Sequence, residues 1–279
     1  MKRNFLLDSD SDDENNSWFE KFWTKLKWGI VAIAIVWPIF PTFFPYHPIS
    51  GFWFIHGNFS DWMKTGYYLF VWAVVINLIS LCKRTEFTFE YGPKEIIKAG
   101  FIKSLLAGIT EEILFRWIIF LGCMVSVYVV NWVLGGFYGS EYGIIQWFNN
   151  LIKAPIADYF TLGLLHEQIM NNKWYVGAAL IISNGLFRDG HKYQGWLGFV
   201  NSWFGGMFLF FVMFKHGLLA AITLHFIYNA VCYGIHAAEA CIWKFFFGIK
   251  FKSELPPETW HQKIRRTLRE REAERKSRY

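Results

Sequence analysis

The chain has 279 residues, of which 54% are hydrophobic and 21% aromatic, with a positive mean hydropathy and a formal charge of +6. It is too apolar and too aromatic for an ordinary water-soluble domain, so the composition points to a polytopic membrane protein. The positive charge gathers in the last twenty residues and at segment ends, which fits anionic lipid as a partner and argues against nucleic acid.

Residues 1–20, with the run DSDSDDENN, are acidic and polar and lack an apolar core behind a basic start. They read as a disordered tail and not as a cleavable signal peptide. Lys21, Lys25 and Lys27 then precede an apolar run from Trp28 to Phe44 that is interrupted by Pro38 and Pro41, which predicts a kinked first span. The sequon Asn58-Phe59-Ser60 follows in a loop. A triplet of this kind is common by chance.

A second span is expected from Gly66 to Cys82, followed by a basic stretch with Lys83, Arg84, Lys94, Lys98 and Lys103. The third runs from Ser104 to Leu134, too long to stand straight and untilted in a bilayer. Residues 142–170 are apolar only in patches and carry Asp158, His166 and Glu167, so they read as interfacial or re-entrant. Three further spans are expected at Trp174 to Phe187, Trp196 to Phe214 and Gly217 to Trp243.

The fold class is therefore an all-α transmembrane helix bundle of six to eight spans, occupying residues 21–250. A basic tail at 251–279 has helical charge spacing and the character of a cytosolic or membrane-surface helix. An even span number places all the basic clusters and both termini on the cytoplasmic side. The membrane would be the plasma membrane in a bacterium and the endoplasmic reticulum in a eukaryote. Tryptophans at segment ends, among them Trp28, Trp62, Trp174, Trp196 and Trp243, suit interfacial belts. Cys82, Cys123, Cys232 and Cys241 have no CxxC spacing and read as free thiols.

Three polar clusters interrupt the apolar sequence. The first is Glu111 to Arg116, EEILFR, inside the third span. Each ionised side chain near a bilayer centre costs roughly 2.5 to 3.5 kcal/mol on insertion scales, so three together mark a functional site. On an α-helix Glu112 stacks on Arg116 four residues later, while Glu111 points elsewhere and is left free for chemistry. The second cluster is Phe187 to His191, and the third places His225 and Asn229 on one face of the last span. A carboxylate, two imidazoles and an amide are enough to activate a water and stabilise an oxyanion.

Structural roles are also open: a Glu–Arg pair that fixes packing, a solvated His191, and His225 with Asn229 as interhelical hydrogen-bond glue. His47, His56, His216, His236 and His261 have no comparable neighbours. The pair His166-Glu167 fails the HExxH zinc pattern, since position 170 is Met.

In order and spacing the three clusters resemble the CAAX prenyl protease and bacteriocin-processing (Abi) family, whose pattern is EExxxR, FxxxH and HxxxN. Glu111, Glu112 and Arg116, then Phe187 and His191, then His225 and Asn229 match it, within a core at about 104–234. The resemblance implies an intramembrane endopeptidase with a conical cavity open to the cytosol, cutting near the C-terminus of lipidated or otherwise membrane-associated substrates. It implies Glu111 as general base with His191 as its partner, His225 and Asn229 as oxyanion donors, and Glu112, Arg116 and Phe187 in support.

The chain departs from that pattern in two places. Arg188 and Asp189 stand where the family has small or apolar residues, which would bring His191 nearer the membrane surface. The aromatic insert at 135–173 has no counterpart in it, and nothing in the chain specifies a prenyl group. No cofactor is expected, the alternative being zinc held by Glu111, His191 and His225. Two other classes compete: a non-catalytic scaffold or regulator on the same fold, and a proton-coupled transporter, against which the hydropathy shows no inverted repeat.

Overall fold

The structure is a computed structural model that describes residues 24, 27–38, 44–83, 91–135, 143–248 and 251. The acidic N-terminal tail, Pro41 and the tail beyond residue 251 lie outside the described residues. No strand occurs among the described residues.

The helices are α1 at Lys27–Pro38, α2 at Phe59–Lys83, α3 at Pro93–Gly135, α4 at 144–160, α5 at Trp174–Gly190, α6 at Gly195–His216 and α7 at Leu218–Phe247. Four of them, α2, α3, α6 with its leading turn, and α7, are long and apolar enough to cross a membrane. The expected first and fourth spans appear as shorter helices. α1 is described only to Pro38, and α5 has 17 residues, about 26 Å at 1.5 Å per residue, against a hydrocarbon core of about 30 Å.

α3 begins eleven residues earlier than expected and runs for 43 residues. Its first turns carry the basic cluster Lys94, Lys98 and Lys103, so those turns extend beyond the apolar part. Within α3, Glu112–Ile119 is wound as a π-helix, a local widening that often accompanies functional sites. The widened turn has outside partners: Ser183 Oγ of α5 donates to the Phe115 carbonyl at 2.6 Å, and Trp117 Nε1 donates to the Pro48 carbonyl at 2.6 Å.

Close approach of α3 to α7 sets the site. Gly100, Ser104 and Gly108 recur every fourth residue on the buried side of α3, a small-residue stripe of the kind that lets membrane helices touch backbone to backbone. A Cβ on Gly100 would press into the Tyr233 ring, and one on Gly108 would lie 3.0 Å from the Ile222 carbonyl. One turn beyond Gly108, the same approach brings Glu111 and Glu112 against His225.

Residues 143–171, expected to be interfacial or re-entrant, fold into the broken helix α4 and a π-turn at Glu167–Asn171, joined by a turn in which Leu162 has φ 53°. Of the tryptophans at segment ends, Trp28 and Trp196 are exposed, whereas Trp62 is not. Trp62 is buried and donates its indole N–H to the His56 carbonyl at 3.0 Å, because the chain just before α2 folds over it. Asn58 of the sequon acts as a helix cap, its Oδ1 accepting the Asp61 N–H at 3.1 Å while Asp61 Oδ2 accepts the Asn58 N–H. Cys123, Cys232 and Cys241 are free.

Candidate active site

The site lies where the π-turn of α3, the end of α5 and the first half of α7 meet. Glu112 and Arg116 are both fully buried, with Arg116 Nε 3.3 Å from Glu112 Oε2, so the expected pair forms. The other Glu112 oxygen, Oε1, takes a hydrogen bond from His225 Nδ1 at 2.7 Å. Because a carboxylate in this pairing only accepts, Nδ1 carries the proton, which directs Nε2 of His225 away from Glu112.

That second nitrogen faces Glu111. His225 Nε2 is 3.8 Å and His191 Nε2 4.0 Å from the same oxygen, Glu111 Oε2. His191 is oriented in the same manner: its Nδ1 donates to the Phe187 carbonyl at 2.8 Å, one of the last carbonyls of α5 that the helix itself leaves unpaired. Glu111 and His191 retain 25% and 18% of their side-chain exposure, against 6% for His225. The site thus has an accessible side made by Glu111 and His191 and a closed floor made by His225, Glu112 and Arg116.

Phe187 is the plate between these groups. The Arg116 guanidinium lies 4.0 Å from its ring centroid, and its ring also meets His191 at 4.6 Å and His225 edge-on at 6.3 Å. Cation–π contact is favourable for an arginine held away from water. Tyr193 stacks on His191 with centroids 6.2 Å apart, a neighbour that the motif spacing gives no hint of.

Arg188 and Asp189 do not pair with any of these groups. Arg188 Nε and Nη2 both donate to Asp189 Oδ1, at 2.9 and 2.8 Å, and Lys192 Nζ lies 3.2 Å from Asp189 Oδ2, so the three charges satisfy one another beside the site. Asn229 is the one motif residue not joined to the cluster: it lies half-buried one turn beyond His225, and its amide makes no side-chain hydrogen bond among the described residues.

Residues 93–231 match the family model of the type II CAAX prenyl endopeptidase Rce1-like proteins, a stretch that contains every residue of the cluster. Over those residues the chain is similar to the Rce1-like family. No curated protein and no solved structure matches the chain. The family matched is one of proteases, as the three motifs lead one to expect, and the four long apolar helices agree with an integral membrane protein.

Of the histidines set aside in the sequence, His261 lies outside the described residues, and two of the others make clear structural contacts. His216 is buried, bonded to Thr65 Oγ1 at 2.9 Å and to the His56 carbonyl at 3.0 Å, and His236 meets Glu239 at 3.2 Å. For zinc, the set to test is Glu111, His191 and His225. Ligands at about 2.0 Å around a tetrahedral zinc stand roughly 3.3 Å apart. Glu111 Oε2 is farther than that from both ring nitrogens, and among the described residues no group of three or more His, Cys, Asp or Glu side chains is arranged to hold a metal. In this arrangement the three residues do not fit the ion, and no step below passes through one.

Two further polar side chains border the site, and the motif spacing does not include them. Ser183 and Asn184 are fully buried in α5. Their signal in the sequence is position: Asn184, Phe187 and His191 are spaced i, i+3 and i+7, one face of a helix that is otherwise apolar up to Arg188.

Proposed function

We propose that the protein is an intramembrane endopeptidase that hydrolyses a peptide bond near the C-terminus of a prenylated, CAAX-type substrate, with water activated by Glu111 and His191. The observation that carries this reading is the convergence of His191 Nε2 and His225 Nε2 on a single Glu111 oxygen, over a floor formed by the buried Glu112 and Arg116.

With its Nδ1 proton given to the Phe187 carbonyl, a neutral His191 offers an unprotonated Nε2 toward Glu111 Oε2. A water seated between these two acceptors gives each of them a proton to hold. As its oxygen attacks the substrate carbonyl, Glu111 takes the proton and passes it to the leaving amine nitrogen. The carbonyl oxygen then carries negative charge. His225 stabilises it only as an imidazolium, since its Nδ1–H is already committed to Glu112 and a second proton is needed on Nε2. Glu112 holds the ring for that contact through its hydrogen bond at Nδ1. The free amide of Asn229 supplies the second donor.

The site's depth suits a substrate held at the cytosolic face. Glu111 lies eight residues beyond Lys103, about 12 Å along the helix, and the positive-inside rule places the basic start of α3 in the cytosol. The test is cleavage of a prenylated CAAX peptide by the purified protein in proteoliposomes. Wild type should release the C-terminal peptide and Glu111→Gln should not. Equal cleavage by both would sink the proposal, as would failure of wild type to cut any membrane-anchored peptide.

A further inference from the structure

Arg116 is fully buried, and its guanidinium brings five N–H donors with it. Glu112 lies beside Nε, and the rings of Phe187 and Phe210 lie at 4.0 and 5.5 Å. Among the described residues no group accepts a hydrogen bond from Nη1 or Nη2. Burying charged donors without an acceptor is costly, and native structures almost always supply one.

An acceptor of matching need stands across the same notch. Asn184 donates its Nδ2 to the Trp203 carbonyl of α6 at 2.9 Å, which fixes the orientation of the amide, and its Oδ1 is buried with no donor. Both orphaned groups look onto one point. A Cβ on Gly206 would collide with Asn184 Oδ1 and lie 3.0 Å from Arg116 Nη2 and from Phe187 Cδ1. Two atoms so placed are no more than about 5 Å apart, a distance that one water spans with two hydrogen bonds of about 2.8 Å. An anion would suit the arginine but would meet the Asn184 oxygen as a second acceptor. A water accepts from one and donates to the other.

We propose that Asn184 is a positioning residue of the site, holding the Arg116 guanidinium through one bound water seated over Gly206. Its effect passes from Arg116 to Glu112 and from Glu112 to the His225 ring, so it sets the direction of Nε2 without touching substrate. Gly206 belongs to the same device, because a Cβ there would push the Asn184 oxygen out of its place. The inference rests on the endopeptidase reading.

The experiment measures kcat and KM for peptide cleavage in proteoliposomes by wild type, Asn184→Leu, Gly206→Ala, the double variant and Glu111→Gln. Each single variant should lower kcat about tenfold with KM within twofold of wild type, and the double variant should be no slower than the slower single. Losses that multiply in the double variant, or a fall explained wholly by a smaller folded fraction, overturn the proposal. If Asn184→Leu does not fold, Gly206→Ala decides, since it leaves Asn184 and Arg116 chemically intact, and normal turnover by that variant overturns the proposal. Wild type and Glu111→Gln equally inactive would remove the endopeptidase reading and this one with it. Cleavage by wild type but not by Glu111→Gln, with normal turnover in the other variants, would remove this one alone.

Discussion

Two polar clusters interrupt the membrane helices, and they are built in opposite ways. The seam between α2, α6 and α7 is neutral: Asn201 Oδ1 accepts from Trp72 Nε1 at 2.8 Å and from the Tyr228 hydroxyl at 2.7 Å, and Asn77 Nδ2 donates to the Ala73 carbonyl and to Cys232 Sγ. The cluster between α3, α5 and α7 is ionic and under-satisfied, with Glu112 Oε2 and all three Arg116 nitrogens lacking a hydrogen-bonded protein partner. Both use α7, with Tyr228 only three residues from His225. Helix association in a membrane needs only the first kind of contact. Charges that packing does not require are retained where chemistry does, so the two clusters should respond to mutation in different observables.

The largest separation is expected at Glu111. Removing a general base costs typically 10²- to 10⁴-fold in turnover, and Glu111 is partly exposed with no close hydrogen bond, so Glu111→Gln should lose that activity with its thermal transition unchanged. The pH profile sharpens the point. A reaction that needs a base and an acid at once depends on pH, so cleavage should rise and fall across the profile. A flat profile from acid to alkali would break the Glu–His couple.

Asn229 comes next. A single oxyanion donor is worth about 10²- to 10³-fold in kcat, so Asn229→Ala should approach that loss with little change in KM. Its amide bonds to no other side chain among the described residues, and folding should therefore be indifferent to it. A variant that turns over normally would leave His225 as the sole donor.

How much of this was legible in the sequence depends on the range over which each contact acts. The Glu112 and Arg116 pair is readable because four residues separate them on one helix, and the apolar runs place the principal helices. The π-turn is not readable, since Ser183 on another helix takes up the carbonyl at Phe115. Nor is the 2.7 Å bond between Glu112 and His225, which are 113 residues apart and meet only because Gly100 and Gly108 let α3 and α7 close up. Asn184 sits on the same helical face as Phe187 and His191, yet nothing local announces an acceptor waiting for a guanidinium. A helix does begin at Trp174, where the fourth span is expected, but with 17 residues it is not among the four long and apolar enough to cross a membrane, and its polar end turns at His191 to serve the site.

Glu112 tests whether positioning and chemistry are separable within the ionic cluster. Glu112→Gln leaves Arg116 buried without a counter-charge, a change that costs about 3 to 5 kcal/mol of stability in comparable buried pairs. Turnover per folded molecule should fall less than in Glu111→Gln, since the glutamine oxygen still accepts from His225 Nδ1. If Glu112→Gln is the slower enzyme at equal folding, the division of labour between the two carboxylates is wrong.

The smallest effect is expected in the neutral seam. Tyr228→Phe removes one hydroxyl that donates to Asn201 but keeps the ring, and Asn201 Oδ1 retains the Trp72 donor. A hydrogen bond of this kind between membrane helices is worth about 0.6 kcal/mol on average and rarely more than 1.7 kcal/mol. The variant should therefore lower thermal stability by about that much, with kcat and KM per folded molecule unchanged. Tyr228 stands on the helix that carries His225 and Asn229, so a shift of that helix by the lost bond would show first as a change in kcat. A normal kcat with a small stability loss separates glue from site; a kcat loss as large as that of Asn229→Ala would mean that the two clusters work as one.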